Sequence, residues 1–303
     1  MTDIVVVTYS PGESLTRFLD SLALATSAGV DVILADNGST DGAVELAAER
    51  PGVRLVRTGG NVGYGRAANL GVALSKAEYV VVANPDIVWG SGALDELIKA
   101  AEAWPAGGSF GPLIHTPAGE IYPSARELPS LRRGIGHALF GWWWPGNPWT
   151  AAYRRERGEP REGPAGWLSG SCLLLRRAAF DQVGGFNPSY FMYFEDVDLG
   201  DRLGRAGWQN IYVPSAEVVH TGGHATAREP AQMAAAHHHS AYRYLSSRYE
   251  GLRWFPMRML IRVGLSARAG LASRLPAIAR AAAPQRRRQP TKTATASRGS
   301  RDE

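Results

Sequence analysis

Short runs of apolar residues alternate along the first hundred positions with stretches in which apolar residues recur every three or four. Ile4-Val5-Val6-Val7, Val32-Ile33-Leu34-Ala35, Val53-Arg54-Leu55-Val56 and Tyr79-Val80-Val81-Val82-Ala83 have strand length, and most are apolar on both faces, as strands between two covering layers are. Leu15, Phe18, Leu19 and Leu22 fall at the helix period after the first run, and further helices are predicted over about 41–49, 63–74 and 93–104. Repeated strand–helix units predict an α/β fold: a mostly parallel sheet with helices on both faces. Ligands of such sheets bind beyond the carboxyl ends of the strands, so chemistry is sought there.

After Pro112 the periodicity loosens. Residues 115–165, rich in Pro, Gly, Trp and Arg, read as long functional loops. Regularity returns at 167–176, in a short helix closing on Gly184-Gly185, in a helix over 196–205 and in a strand over 210–213. Residues 230–280 look helical, and the Arg- and Ser/Thr-rich stretch from Pro284 reads as disordered. These breaks divide the chain into a first part (1–114), a second (115–225), a helical segment (226–283) and a basic tail (284–303).

Composition narrows the class. With 45% hydrophobic and 20% charged residues, the 303-residue chain is globular in type. One cysteine excludes a disulfide framework or a zinc site built from several thiolates, and suits a reducing compartment. No secretory signal is expected at the N-terminus, nor a membrane-spanning run. Charge is segregated. Residues 253–303 hold 12 of the 33 Lys and Arg and 2 of the 28 Asp and Glu, leaving 21 basic and 26 acidic residues in the first 252. An acidic body argues against nucleic acid as a partner, and the basic end suits a membrane surface.

Three acidic sites follow strands. Asp36, in Asp36-Asn37-Gly38-Ser39-Thr40-Asp41, can accept the N3–H of a uracil or thymine ring, while Asp41 suits a helix cap. Asp86, in Asn84-Pro85-Asp86, can hold a divalent ion against a diphosphate. Glu195-Asp196-Val197-Asp198 opens a helix after Tyr190-Phe191-Met192-Tyr193-Phe194, and carboxylates beside aromatic rings are placed as a tuned general base is. A rival is the G-x-G-x-x-A pattern Gly63-Tyr64-Gly65-Arg66-Ala67-Ala68, but it explains neither Asp36 nor the 195–196 pair.

These motifs, with Val7-Thr8-Tyr9, Asn61-Val62-Gly63-Tyr64 and Gly184-Gly185-Phe186, occur in the order seen in family 2 inverting glycosyltransferases, and the resemblance covers residues 1 to about 225. Leu34-Ala35-Asp36, Tyr122-Pro123-Ser124-Ala125-Arg126, Asn147-Pro148-Trp149-Thr150 and Trp167-Leu168-Ser169-Gly170-Ser171-Cys172 resemble, more narrowly, the cell-wall rhamnosyltransferases of that family. The resemblance implies a GT-A fold, a Rossmann-like mostly parallel sheet, with 1–114 as the nucleotide-sugar-binding half, 115–225 as the acceptor-binding and catalytic half, and added C-terminal helices over 226–283 that associate with the membrane. It implies dTDP-L-rhamnose as donor, polyprenyl-diphosphate-linked N-acetylglucosamine as acceptor and a place in arabinogalactan-linker synthesis. Another nucleotide sugar or acceptor within the family is the alternative. Thr8, Tyr9, Asp36, Asn61, Gly63, Asn84 and Asp86 would bind the nucleotide sugar, with Asp36 on thymine. Asp86 and His220 would hold Mg²⁺ or Mn²⁺, although Asn84 replaces the first Asp of the family's D-x-D. Asp196 falls at the position of the base, with Glu195 its catalytic neighbour. The implied location is cytoplasmic, peripheral on the inner face of the plasma membrane; the oligomeric state is left open.

Trp142, Trp143 and Trp144 cannot all face one core, and indoles favour sugars and membrane interfaces, so they are read with Arg126 and Trp167 as acceptor residues. Arg126, with Arg132, Arg133 and Arg154, is a candidate for the acceptor's diphosphate. Cys172 reads as core, and His237-His238-His239, diverging around a helix, as no metal site. Two other classes fit less well. A nucleotidyltransferase should carry a Gly- and Arg-rich loop where Ser10-Pro11-Gly12-Glu13 stands, and an inactive sugar-binding module should lack an acidic site.

Overall fold

The computed structural model describes residues 2–129, 160–222, 230–249 and 251–263. Trp142, Trp143, Trp144, Arg132, Arg133, Arg154 and the basic tail lie outside these.

Strands β1 (Thr2–Thr8), β2 (Asp31–Asp36), β3 (Val53–Arg57) and β4 (Tyr79–Ala83) form where the apolar runs predict them, joined by helices α1 (Glu13–Ala25), α2 (Ala43–Ala48) and α3 (Tyr64–Ala73). They pair in parallel in the order β3-β2-β1-β4. After β5 (Ile87–Trp89) and α4 (Ala93–Ala103), β6 (Gly107–His115) joins the same sheet, followed by the short β7 (Ile121–Tyr122) and β8 (Ala125–Arg126). Next come β9 (Gly163–Ala165), β10 (Trp167–Leu168), β11 (Cys172–Arg176), α5 (Arg177–Gln182), α6 (Glu195–Arg205), β12 (Gln209–His220) and α7 (Pro230–Arg248). The full order is β3-β2-β1-β4-β11-β6-β12-β5, with β11 antiparallel to both its neighbours. One sheet therefore runs through the stretches read as nucleotide and acceptor halves.

Alternate residues of the central strands feed two cores. Ile4, Val6, Val81 and Ala83 pack beneath α1, α2 and α4 through Leu15, Phe18, Val44, Leu94 and Leu97. Val5, Val7, Val80 and Val82 pack on the other face against Ala67 and Ala68 of α3, Phe180 of α5 and Leu199 and Leu203 of α6. This two-sided burial is why the strands read as unbroken apolar runs.

Strand β6 was not legible in the sequence, although it is buried along nearly its whole length. Its Gly-Gly-Ser-Phe-Gly-Pro opening reflects crowding: a Cβ on Gly108 would meet Trp208 and Ala179, and one on Gly111 would meet Leu168. Strand β12 exceeds its predicted span because a register shift between Val213 and Glu217, at Pro214, hides its continuity. Asp41 lies before the first turn of α2, which Gly42 opens, and its carboxylate ties that turn to Gly12 N–H at 2.7 Å.

Candidate active site

The carboxyl ends of β1, β2 and β4 and the N-terminus of α6 surround a cleft of about 320 Å³. Of the residues named from the sequence, Tyr9, Asn61, Asn84, Asp86, Glu195, Asp196 and His220 line it. Asn37, Tyr64, Tyr122, Ser169, Gly170, Ser171 and Tyr193 line it as well. Sequence reasoning gave these no role, although Tyr64, Tyr122 and Gly170 stand inside the motifs that carry the family resemblance.

Asp36 is not brought to the cleft. It is 1% exposed, and its carboxylate accepts from Thr8 Oγ1 at 3.1 Å, from the Ser39 amide and hydroxyl, and from Arg57 Nη1 at 3.2 Å. Arg57 also bonds Glu45. The expectation that Asp36 reads the base thus meets a carboxylate whose acceptors are engaged within the protein. Asn37 is the residue of this turn that reaches the cleft wall. Thr8 is likewise buried and serves Asp36.

Gly63 contributes through its backbone. Its φ of +90° and its contact with the Phe191 carbonyl leave no room for a Cβ, and the next amide, of Tyr64, donates to that carbonyl at 3.1 Å. This engagement argues against the dinucleotide pattern, whose first helical amides must face a pyrophosphate. Gly63→Ala is expected to destabilise the fold by about 1–3 kcal/mol and to displace the loop before α6; thermal unfolding with donor titration checks both.

Asp86 and His220 stand together on one wall, with Asp86 Oδ1 3.1 Å from His220 Nε2 and the Asn84 amide nitrogen 3.4 Å from the same ring atom. The backbone holds them: Thr221 donates N–H and Oγ1 to the Asp86 carbonyl, each at 3.0 Å. Adjacent ligands of an octahedral ion with bonds near 2.1 Å lie about 3 Å apart, so the Asp86–His220 spacing fits a hard cation. Among the described residues no group of three or more His, Cys, Asp or Glu side chains forms a metal cage. Two protein donors suit an ion completed by phosphate oxygens and water.

The opposite wall carries Glu195 and Asp196 on the first turn of α6, where the helix dipole favours negative charge. Asp196 is half-buried. Its Oδ2 accepts the Gly170 amide at 3.0 Å and its Oδ1 the Val197 amide at 2.8 Å. Burial pushes its pKa up, while these amides and the nearby Arg126 charge pull it back. Glu195 is 8% exposed, and burial followed by the Asp196 charge raises it to about 8.

Two non-glycine residues in the left-handed region, Tyr193 (φ 66°) and Phe194 (φ 67°), deliver this pair. Helix α7 clamps them. His237 packs edge-on against both rings at 5.4 and 5.5 Å, Tyr244 lies 5.7 Å from Phe194, and Ser240 Oγ donates to the Met192 carbonyl at 2.9 Å. At the cleft edge the Arg126 guanidinium lies over Tyr122 (5.5 Å) and Trp167 (5.6 Å).

A cleft with Asp86 and His220 on one wall and Glu195 and Asp196 on the other, at the open edge of this sheet, fits a glycosyltransferase of GT-A type. Solved structures share the fold. A mannosyltransferase from Pyrobaculum calidifontis, solved with GDP-mannose and Mn²⁺, superposes with a TM-score of 0.55 at 19% identity, over 93% of this chain and 75% of its own. The model of glycosyl transferase family 2 matches residues 3–184, and the chain belongs to that family. A model described as glycosyltransferase-like family 2 matches residues 152–239. The chain is 56% identical to the N-acetylglucosaminyl-diphospho-decaprenol L-rhamnosyltransferase of Mycobacterium tuberculosis, over 89% of this chain and 93% of the relative. It is 27% identical to rhamnosyltransferase WbbL of Escherichia coli K12, over 81% and 93% respectively.

Proposed function

We propose that this protein transfers L-rhamnose, with inversion, from dTDP-L-rhamnose to N-acetylglucosaminyl-diphospho-polyprenol. The single observation that carries the acceptor and the sugar is the 56% identity, across nearly the whole of both chains, to an enzyme named for that reaction. The direct test incubates the chain with this donor and acceptor and identifies the lipid product by mass spectrometry.

The cleft supplies the parts. Asp196, held by two backbone amides, takes the proton of the acceptor hydroxyl on a carboxylate oxygen as that hydroxyl attacks the anomeric carbon from the side opposite the nucleotide. The Gly170 and Val197 amides fix the carboxylate's orientation, so proton transfer needs no rearrangement of the base. Asp86 and His220, with the Asn84 amide beside them, would hold Mg²⁺ or Mn²⁺. Such an ion offsets charge developing on the leaving diphosphate. A single displacement needs one base and no covalent nucleophile.

Arg126 is assigned to the acceptor's diphosphate. Its Nε donates to the Pro123 carbonyl at 2.7 Å and its plane is framed by two aromatic rings, which orients the terminal nitrogens before any ligand arrives. Arg126→Lys keeps the charge and loses that plane. It is expected to raise KM for the lipid acceptor about tenfold or more with kcat less affected, read from initial rates against acceptor concentration.

A polyprenyl acceptor stays in a bilayer, so the enzyme must come to the surface. No helix among the described residues is long and apolar enough to cross a membrane. Instead α7 packs on the body, where Arg248 bonds Asp201 at 2.7 Å, while the segment after it leaves Leu252, Phe255, Met259, Leu260 and Val263 exposed beside Arg253 and Arg262. This segment is assigned to an anionic leaflet. The full chain is expected to sediment with anionic vesicles at low salt, and a chain ending at Gly251 to remain in the supernatant. Equal binding of both would contradict the assignment.

A further inference from the structure

We propose that Glu195 works as a neutral carboxylic acid, holding the proton of the 195–196 pair so that Asp196 is the pair's one charged carboxylate. The inference rests on the reading of Asp196 as the base and assigns its neighbour a separate duty as a positioning residue.

The two side chains leave the same helical turn into different surroundings. Asp196 has a backbone N–H on each oxygen, the environment that stabilises an ionised carboxylate. Glu195 is served by its own backbone N–H, not by an amide on each oxygen. Its Oε2 is buried without a hydrogen-bond partner among the described residues. Its Cβ lies near the spot a side chain on Gly65 would fill, and that spot is walled by the Phe186 ring.

The titratable groups facing Glu195 are Asp196 on its own helix, Tyr64 from α3 and Tyr193 from the loop before it, and none brings a positive charge. Across the cleft stand Asp86 and His220; Arg126 acts on Asp196, and His237 of α7 lies behind Tyr193. An ionised Glu195 would be a buried charge with one bare oxygen beside a second carboxylate, whereas a protonated one is an ordinary buried polar group. The rise of its pKa to about 8 agrees with that geometry.

Two consequences follow. First, the cleft presents one negative charge from this pair to an anionic nucleotide sugar at neutral pH. When Glu195 ionises, the second charge opposes the donor's phosphates, so KM for the donor rises on the alkaline side. Second, the folded chain keeps this proton to a higher pH than the unfolded chain does. The group's share of stability is therefore full below the ordinary glutamate range and is lost as pH rises through about 8.

The test compares the full-length wild type with Glu195→Gln, Glu195→Ala and Asp196→Asn. Infrared difference spectra of the wild type at neutral pH should show the C=O stretch of a protonated carboxylic acid, absent from Glu195→Gln and fading as pH rises past 8. The thermal midpoint of the wild type should fall relative to Glu195→Gln as pH rises from the ordinary glutamate range to about 8, and level off above it. In turnover, Glu195→Gln should lose less than tenfold, lose less than Glu195→Ala, and lack the alkaline rise in donor KM; Asp196→Asn should lose a hundredfold or more. The proposal is overturned if the wild type shows no protonated-acid band, or if a folded Glu195→Gln is as inactive as Asp196→Asn. If Asp196→Asn turns over normally, the base reading fails by itself, while the infrared and thermal measurements still decide where the proton sits.

Discussion

Asp196→Asn is expected to lower kcat by about 10²–10⁴, the usual worth of a general base, while leaving donor affinity within a few-fold. The amide is nearly isosteric, so α6 and the strained turn at Tyr193 and Phe194 should persist, but it cannot take a proton. One of its two contacts is also weakened, because an amide nitrogen facing Gly170 or Val197 N–H offers a donor where an acceptor is required. In the wild type the raised pKa of Asp196 gives the sign of the acid limb. Activity falls as pH drops, and it does so at a higher pH than an exposed aspartate would dictate. Rapid-quench turnover with separate donor titration distinguishes this outcome from misfolding, which would remove both. Donor binding retained with turnover unchanged would move the base elsewhere on α6.

Asp86→Ala should reduce turnover at least a hundredfold, the rate equivalent of about 3 kcal/mol, and should abolish any response to added Mg²⁺ or Mn²⁺. In the proposed metal site Asp86 would contribute the anionic half of a two-donor set whose other half, the His220 imidazole, would be neutral when it ligates. Removing the carboxylate leaves little to hold a hard cation until phosphate arrives. Titrating metal into chelator-treated wild type and variant, with initial rates as readout, gives the comparison. Full wild-type activity after exhaustive chelation would contradict the metal assignment outright.

The two-sided sheet was legible because strands buried on both faces leave an unambiguous trace of consecutive Val, Ile and Leu, and helices α1, α3 and α4 keep the 3.6-residue period between them. Strand β6 was not legible, because crowding by Trp208, Ala179 and Leu168 selects glycine where β-branched residues would announce a strand. Asp86 was legible as a carboxylate just past a strand, the usual place for ligands in such sheets, and Glu195 and Asp196 as the acidic opening of a helix after an aromatic run, although no strand directly precedes them. Their division of labour was not. Whether an oxygen faces an amide, a salt bridge or an apolar wall depends on residues far away in sequence. Asp36 reads as a free carboxylate until Thr8 and Arg57 are seen on it, and Asp196 owes its orientation to Gly170, 26 positions earlier. The role of α7 was also hidden, since Ser240, His237 and Tyr244 carry no motif and matter only through the backbone they clamp.

Sugar transfer from a defined donor to a defined lipid is the central claim, and one assay measures it directly. Purified chain is incubated with N-acetylglucosaminyl-diphospho-polyprenol and, in parallel, with dTDP-L-rhamnose, UDP-glucose, UDP-galactose and GDP-mannose, and the lipid product is identified by mass and anomeric configuration. The account predicts a single deoxyhexose added from dTDP-L-rhamnose with inverted configuration, and no product of comparable yield from the other donors. Transfer from another nucleotide sugar in preference to dTDP-L-rhamnose, or a product of retained configuration, would contradict it.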